Sequence, residues 1–331
     1  MKKWRLPPEW EHHQSCWLAF PSDRSLWEDQ LEGARQEFFA LAETIGLSEK
    51  LNILVKTEEE RLEVLSHLSG CNVVCHLIPY GDIWLRDTAP LFMKDEEGHD
   101  HAVYFAWNGW GEKYNLEYDD QVSRSIIELL KIDSAYFDWV LEGGAIEVDG
   151  EGTCLTTKQC LLNPNRGLNC DQNQMEDLLK QALGITKVLW LDRGLLNDHT
   201  DGHIDTIARF VAPGKVLCMT GSRCDDPNKE VLAEIQETLL QIKDARGNSL
   251  EILTIPSPGL VLDNHKEIMP ASYLNFYISN QIVIVPTYDA PWDEEAVKLI
   301  GECFPGRKTI GLSAKHILTG GGAFHCITKQ Q

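Results

Sequence analysis

Close to its end the chain reads Thr319-Gly-Gly-Gly-Ala-Phe-His-Cys-Ile-Thr328. Three successive glycines strip the backbone of side chains, so the chain can turn sharply there or let a ligand lie against it. Cys326 follows within a run of strand-forming type, residues 324–328. A thiol beside bare backbone is what nucleophilic catalysis requires. Taken alone, the plainer reading is stronger: a glycine loop beside a cysteine that packs as a small apolar residue.

Three other stretches set charged groups in apolar surroundings. In Asp82-Ile-Trp-Leu-Arg-Asp-Thr-Ala-Pro90, Arg86 and Asp87 lie between Trp84, Leu85 and the apolar Leu91-Phe-Met93. Charges are interior only when paired or functional, and a structural ion pair accounts for this pattern equally well. In Leu141-Glu-Gly-Gly-Ala-Ile-Glu147, Glu142 ends an apolar run beside two glycines, as in a binding cleft or a solvated turn. In Asp198-His-Thr-Asp-Gly-His-Ile-Asp205, His203 and Asp205 stand two apart at the start of an expected strand, hence on one face. That spacing suits metal ligation, with Asp198, His199 and Asp201 as further donors, or a proton-transfer group beside a substrate-binding carboxylate. His325 adjoins Cys326, and successive strand residues face opposite ways, so His325 is a poor base for it. His203, from a distant segment, is the expected partner.

Together these groups are a thiol, an imidazole and several carboxylates. Acyl transfer would want an oxyanion hole and one acid orienting the histidine. Free carboxylates instead bind a planar cation through forked contacts, and a guanidinium fits. Cys326 would attack its central carbon, and His203 would protonate the leaving amine and then activate water. Carboxylates nearby raise a thiol's pKa, so thiolate is expected mainly once a bound cation or protonated His203 offsets them.

The elements that must position these groups alternate. Helices are expected over 25–46, opened by a capping box at Ser25-Leu-Trp-Glu28, from Thr57 to about Gly70, and over 119–131, 172–183, 227–243 and 293–303. Strands are expected over 51–55, 72–78, 101–106, 145–148, 153–157, 186–191, 204–211, 215–219, 250–255, 273–278, 282–285 and 308–312. Residues 4–24, rich in tryptophan and proline, read as an extended lead-in packed on the body. Asp149-Gly150 and Pro213-Gly214 mark hairpins, which argues against a purely parallel sheet. No linker or residue-level repeat divides the 331 residues, so one α/β domain is expected.

Net charge is −21, from 51 acidic against 30 basic residues, which disfavours nucleic acid and favours cationic small molecules. No apolar run is long enough to span a membrane. Met1-Lys-Lys-Trp-Arg-Leu-Pro-Pro8 lacks the apolar centre of a secretory leader, and ten cysteines without paired Cys-x-x-Cys spacing read as reduced thiols; a cytoplasmic location is expected.

The segments, in order, resemble the agmatine deiminases and the related Porphyromonas-type peptidylarginine deiminases of the guanidine-modifying superfamily. The likeness runs nearly end to end. It rests on Pro8-Glu-Trp-Glu11, Trp84-Leu-Arg-Asp-Thr-Ala-Pro90, Trp107-Asn-Gly-Trp-Gly-Glu-Lys-Tyr114, the run Glu142–Thr153, Thr200-Asp-Gly-His-Ile-Asp205, Pro270-Ala-Ser-Tyr-Leu-Asn-Phe-Tyr277 and Gly320-Gly-Gly-Ala-Phe-His-Cys-Ile-Thr328. The resemblance implies a five-fold pseudosymmetric α/β propeller (pentein) with a central site and no metal or organic cofactor. It implies Cys326 as nucleophile forming an amidino-thioether and His203 as general acid and base. Asp87 and Asp205 would hold the guanidinium, Glu142 would support His203, and Trp84, Gly321 and Gly322 would wall the cleft.

By the same resemblance agmatine would be hydrolysed to N-carbamoylputrescine and ammonia, feeding putrescine synthesis. Arginine, methylated arginine or peptidylarginine hydrolysis, or a non-catalytic guanidine- or polyamine-binding role, are the alternatives. A substrate with an α-carboxylate would need a free base such as Arg86, Lys113, Arg166 or Arg209. Ala323-Phe324 and Ala89 depart from the family's commoner Asn-Ile and Gly. Homo-oligomer formation stays open, as does closure of loops near 108–118 and 257–270 over the site.

Overall fold

The computed structural model describes residues 4–331; the first three residues of the segment examined for a leader lie outside the described residues. Strand β1 (Ser15–Ala19) runs parallel to β2 (Lys50–Val55), which runs parallel to β3 (Val73–Leu77). Helix Leu31–Gly46 joins the first two, and helix Glu58–His67 the next two. A second unit follows: β4 (Leu91–Lys94) is antiparallel to β5 (Asp100–Ala106), helix Val122–Leu130 crosses back, and β6 (Asp133–Val140) lies parallel to β5.

The same plan recurs three more times. β7 (Glu147–Val148), β8 (Thr153–Thr157) and β9 (Lys187–Leu191) enclose helix Gln172–Leu183. β10 (Ala208–Ala212), β11 (Lys215–Thr220) and β12 (Glu251–Pro256) enclose helix Lys229–Gln241. β13 (Tyr277–Ile278), β14 (Ile282–Thr287) and β15 (Lys308–Ser313) enclose helix Asp293–Cys303. Both ends of the described chain complete the first unit, because β16 (Lys329–Gln330) pairs antiparallel with β1. Five sheets therefore share one topology, a short first strand, an antiparallel second and a parallel third reached through a helix, to which the first sheet adds β3 as a fourth strand.

Local chemistry explains the elements. In the first and third units the second strand is covered on both faces, so β1 and β8 are each buried at all five positions. In helix Leu31–Gly46 the apolar stripe Leu31, Ala34, Phe38, Leu41, Ala42 and Ile45 is buried. Thr57 and Glu60 form a reciprocal capping box, as do Asp171 and Gln174. The expected hairpins at Asp149-Gly150 and Pro213-Gly214 are present.

Several expectations are corrected. Asp23, not Ser25, caps the first helix: its side chain accepts from Ser25 N, and that helix breaks after Trp27, where Glu28 turns to φ 47°. The lead-in contains β1, and β4 and β6 lay unread. The segments expected as strands at 204–206 and 324–327 are single helical turns, and only Tyr277–Ile278 of 273–278 is strand.

Candidate active site

In every unit the segment just before the first strand is a short turn or bend, and the candidate groups occupy these five equivalent places. Asp87 lies in the turn Leu85–Thr88 before β4. Glu142 precedes the turn Gly143–Ala145 before β7. His203 and Asp205 flank and enter the turn Ile204–Thr206 before β10. Asn275 lies before β13, and Cys326 in the turn Phe324–Ile327 before β16. Five sheets thus deliver six polar side chains toward one centre, all buried.

His203 is fully buried, with Nδ1 3.8 Å from Asp87 Oδ2 and Nε2 3.9 Å from Glu142 Oε2. Neither ring nitrogen has a hydrogen-bond partner, and nor does Asp205 Oδ1, among the described residues. Buried polar groups are seldom left so, which sets these three atoms apart from the rest of the interior. Asp87 Oδ1 accepts from Gly144 N at 2.8 Å and Oδ2 from Trp110 Nε1 at 2.9 Å. Gly144 is obligatory here, since a Cβ would come within 2.6 Å of His203 Nδ1. Cys326 Sγ lies 3.7 Å from Asp205 Oδ2, and a Cβ on Gly322 would fall 2.9 Å from that sulfur.

Burial pushes the Cys326 thiol well above its ordinary value, and Asp205 and Asp87 push it further. Burial likewise raises Asp87, with Asp205 and Glu142 adding to it against His203. For Asp205 burial is outweighed by the hydrogen bond and charge of His325, so its carboxyl is lowered. Burial opposes charge on His203, yet Asp87, Cys160 and Glu142 more than offset it and hold the imidazole well above its ordinary value. Two carboxylates pushed in opposite directions, beside an imidazole whose charged form is favoured, form a pattern typical of sites that run acid and base steps together.

The cleft is a cavity of about 180 Å³ lined by Trp84, Asp87, Trp110, Gly321, Gly322 and Cys326, among others. Trp84 donates to Asp82 Oδ2 at 2.9 Å and stacks on Trp27, so its ring is held as a wall. Asp82 and Asp87 line the cavity and no lysine or arginine among the described residues does. Arg86 and Asp87 do not form the ion pair weighed above. Arg86 turns away to His325 O, Gln330 and Glu9, while Asp87 faces the cavity. Glu142 is no solvated turn residue but fully buried, bonded to Arg166 Nε at 2.8 Å.

His203 makes no hydrogen bond to Cys326 among the described residues; the two flank the carboxylates rather than each other. His325 also leaves Cys326 alone, although in a turn rather than a strand: its Nδ1 meets Asp205 Oδ2 and its Nε2 Glu9 Oε2, each at 2.7 Å. The Asp198, His199 and Asp201 combination does not gather as metal donors. Glu142, Cys160 and His203 do, with donor atoms within 4.8 Å, but Arg166 already supplies a cation to Glu142 and Cys160 there.

The sequence reading missed Glu9, Trp110 and Asn275, and the roles of Arg166 and His325. Glu9 accepts from Arg209 at 3.0 Å and Arg86 at 3.4 Å, and its carboxyl stays well below its ordinary value despite burial because His325, Arg209 and Arg86 surround it. Ala89 has φ −83°, which any residue adopts, so the absent glycine changes nothing there.

Five units of one topology around a thiol, an imidazole and carboxylates define a class: the α/β propellers that modify guanidines. The sequence pattern of the Porphyromonas-type peptidyl-arginine deiminase family matches residues 5–331, and the chain belongs to that family. It is 35% identical to the agmatine deiminase of Stutzerimonas stutzeri, over 98% of this chain and 95% of that one. The solved agmatine deiminase of Enterococcus faecalis superposes with a TM-score of 0.94 at 30% identity, covering 99% and 96% of the two chains. DDAH from Pseudomonas aeruginosa, at 15% identity and a TM-score of 0.51 over 97% and 100% of the chains, shares the fold. The fold is the five-fold pseudosymmetric propeller.

Proposed function

We propose that this chain is an agmatine deiminase acting as one catalytic unit, converting agmatine and water to N-carbamoylputrescine and ammonia. Asp87 and Asp205 hold the guanidinium. The Cys326 thiolate bonds to its central carbon, giving a neutral tetrahedral adduct. Protonated His203 gives its proton to one amino group, which leaves as ammonia, and a cationic amidino-thioether remains. Neutral His203 then takes a proton from water as the hydroxide adds. Collapse breaks the carbon–sulfur bond, restores the thiolate and releases the neutral ureido product; the remaining proton leaves with the ammonia. Glu142 supports the charged imidazole.

The observation that carries the reading over arginine or peptidylarginine is the fate of the basic residues. Arg86, Arg166 and Arg209 are bonded to Glu9, Glu142 and Glu9 respectively, and Lys113 to Asp201 and His199 O. None lines the cavity, so an α-carboxylate would meet carboxylates, whereas an amine tail would be favoured. The agmatine deiminases among its relatives support the same choice. The decisive assay is ammonia release from agmatine, arginine and an arginine peptide in parallel; release from arginine alone would refute it. We place the enzyme in the cytoplasm and its product in putrescine formation; no helix among the described residues is long and apolar enough to cross a membrane.

A further inference from the structure

Arg166 lies in the single turn Pro164–Arg166 and is fully buried, although it does not line the cavity. No N–H of its guanidinium is idle. Nε donates to Glu142 Oε1 at 2.8 Å, Nη1 to Asn165 Oδ1 at 2.8 Å and to Asp201 Oδ2, and Nη2 to Thr200 O at 2.7 Å and to Cys160 Sγ at 3.7 Å. Five donors in one rigid plane, all engaged, fix in place whatever they hold.

What they hold is Glu142 together with the approach to His203. The bond from Nε is the one short hydrogen bond that the Glu142 side chain makes among the described residues, and it leaves Oε2 as the oxygen 3.9 Å from His203 Nε2. The imidazole has no hydrogen bond of its own among those residues and takes its place from its backbone. His203 N donates to Thr200 Oγ1 at 3.0 Å, and Thr200 O is the carbonyl that Nη2 grips. One guanidinium thus spans the third and fourth units, with the carboxylate on one edge and the segment leading to the imidazole on the other. Asp201, at φ 65° in that segment, is braced by Lys113 Nζ at 2.6 Å and Asn165 Nδ2 at 2.9 Å, so the carboxylate that holds the arginine head is itself held. The titratable and charged groups facing the imidazole are Asp87, Glu142 and Cys160 from other elements and Asp205 from its own turn; of these, Arg166 bonds Glu142 and Cys160.

We infer that Arg166 is a positioning residue for the proton-transfer step and acts through Glu142: its guanidinium aims the carboxylate at His203 and ties it to the segment that carries the imidazole. The inference rests on His203 transferring protons and Glu142 supporting it, as proposed above. A buried arginine that served the fold alone would behave differently. Its loss would cost stability, and would lower activity by the same factor whatever residue stood at 142.

The test is a double-mutant cycle on agmatine turnover. Arg166→Lys keeps the buried charge but lacks the planar fork and the Nε donor. Its kcat is expected to fall about tenfold or more, as when a reacting group is misplaced by a fraction of an ångström, and KM to stay within about twofold, because Arg166 does not line the cavity. The alkaline limb of kcat against pH should move toward neutral, the direction expected when Glu142 no longer supports the imidazolium. In a Glu142→Gln background the same substitution should cost less than about twofold further, since the carboxylate through which it acts is gone. An equal loss in the two backgrounds, or a loss confined to KM, overturns the inference. If Arg166→Lys does not fold, Asp201→Asn decides instead, because it loosens the arginine head from a partly exposed position. It should lower kcat with Glu142 present and leave Glu142→Gln unaffected; a loss indifferent to residue 142 overturns the inference. Full activity of Glu142→Gln alone would refute the functional reading of the pair, and the inference with it, whereas additive losses refute the inference alone.

Discussion

His325 Nδ1 lies 2.7 Å from Asp205 Oδ2, on the ring whose other nitrogen lies as close to Glu9. One oxygen of Asp205 is thereby anchored, and the other, Oδ1, is buried without a hydrogen-bond partner among the described residues. A carboxylate held by one oxygen presents the second in a fixed place, which a forked guanidinium contact requires. Glu9, on the N-terminal arm, holds the far side of the ring between Arg86 and Arg209.

His325→Gln should separate these contacts, because a glutamine amide reaches the position of Nε2 but not of Nδ1. Asp205 then loses its anchor while Glu9 keeps a donor. Agmatine KM is expected to rise about tenfold, the value of roughly one charge-assisted hydrogen bond, with melting temperature little changed. Steady-state ammonia release checks it.

Glu142 is one of the groups that hold the His203 imidazole well above its ordinary value. Removing that charge in Glu142→Gln lets the imidazolium lose its proton at lower pH, so the falling alkaline limb of kcat against pH should move toward neutral. The rate at the optimum should drop roughly 100-fold or more, the usual contribution of a proton-transfer group. A pH–rate profile reads both.

In free enzyme the thiol is raised by burial and then by Asp205 and Asp87, so thiolate accumulates only as pH rises. Iodoacetamide alkylation of Cys326 should therefore still be accelerating at pH 9.0, the ordinary thiol value. A rate already level at acidic pH would mean a stable resting ion pair with His203. Because the two groups lie in one cluster, the limbs belong to the pair rather than to either residue.

Asp119 gives a stability prediction apart from the chemistry. Its Oδ1 accepts from Gly81 N at 2.8 Å, its Oδ2 is buried without a partner among the described residues, and burial is the main cause that pushes its carboxyl up to about 7. The folded state then holds the proton more tightly than the unfolded chain, whose ordinary value is 3.8, so stability is lost as pH rises between those values. Asp119→Asn keeps the acceptor and removes the titration. Its melting temperature relative to wild type should be higher at about pH 8 than at about pH 5 by roughly 2 °C or more.

Much of this site is legible in the sequence, and the remainder hides for definite reasons. Cys326, His203, Asp87, Asp205 and Glu142 announce themselves as polar groups in apolar or glycine-rich stretches. The five-fold repeat does not, because the units share topology and not residues, and three of their first strands are two residues long. Phe324-His-Cys-Ile-Thr328 has strand composition, yet three of the N–H groups of residues 323–326 are taken by Asn275 rather than by a neighbouring strand, and a single turn results. Glu9, Asn275 and Arg166 look ordinary in the chain. Each acquires its meaning from partners far away in sequence, as Glu9 does from His325 and Arg209.

The central claim, covalent catalysis on a guanidinium by Cys326, is tested most directly by acid-quenching the enzyme during agmatine turnover and mapping its peptides by mass. The account predicts agmatine less ammonia attached to the peptide carrying Cys326, absent without substrate, with turnover lost in Cys326→Ala. Full turnover by Cys326→Ala, or an adduct on any other residue, would contradict it.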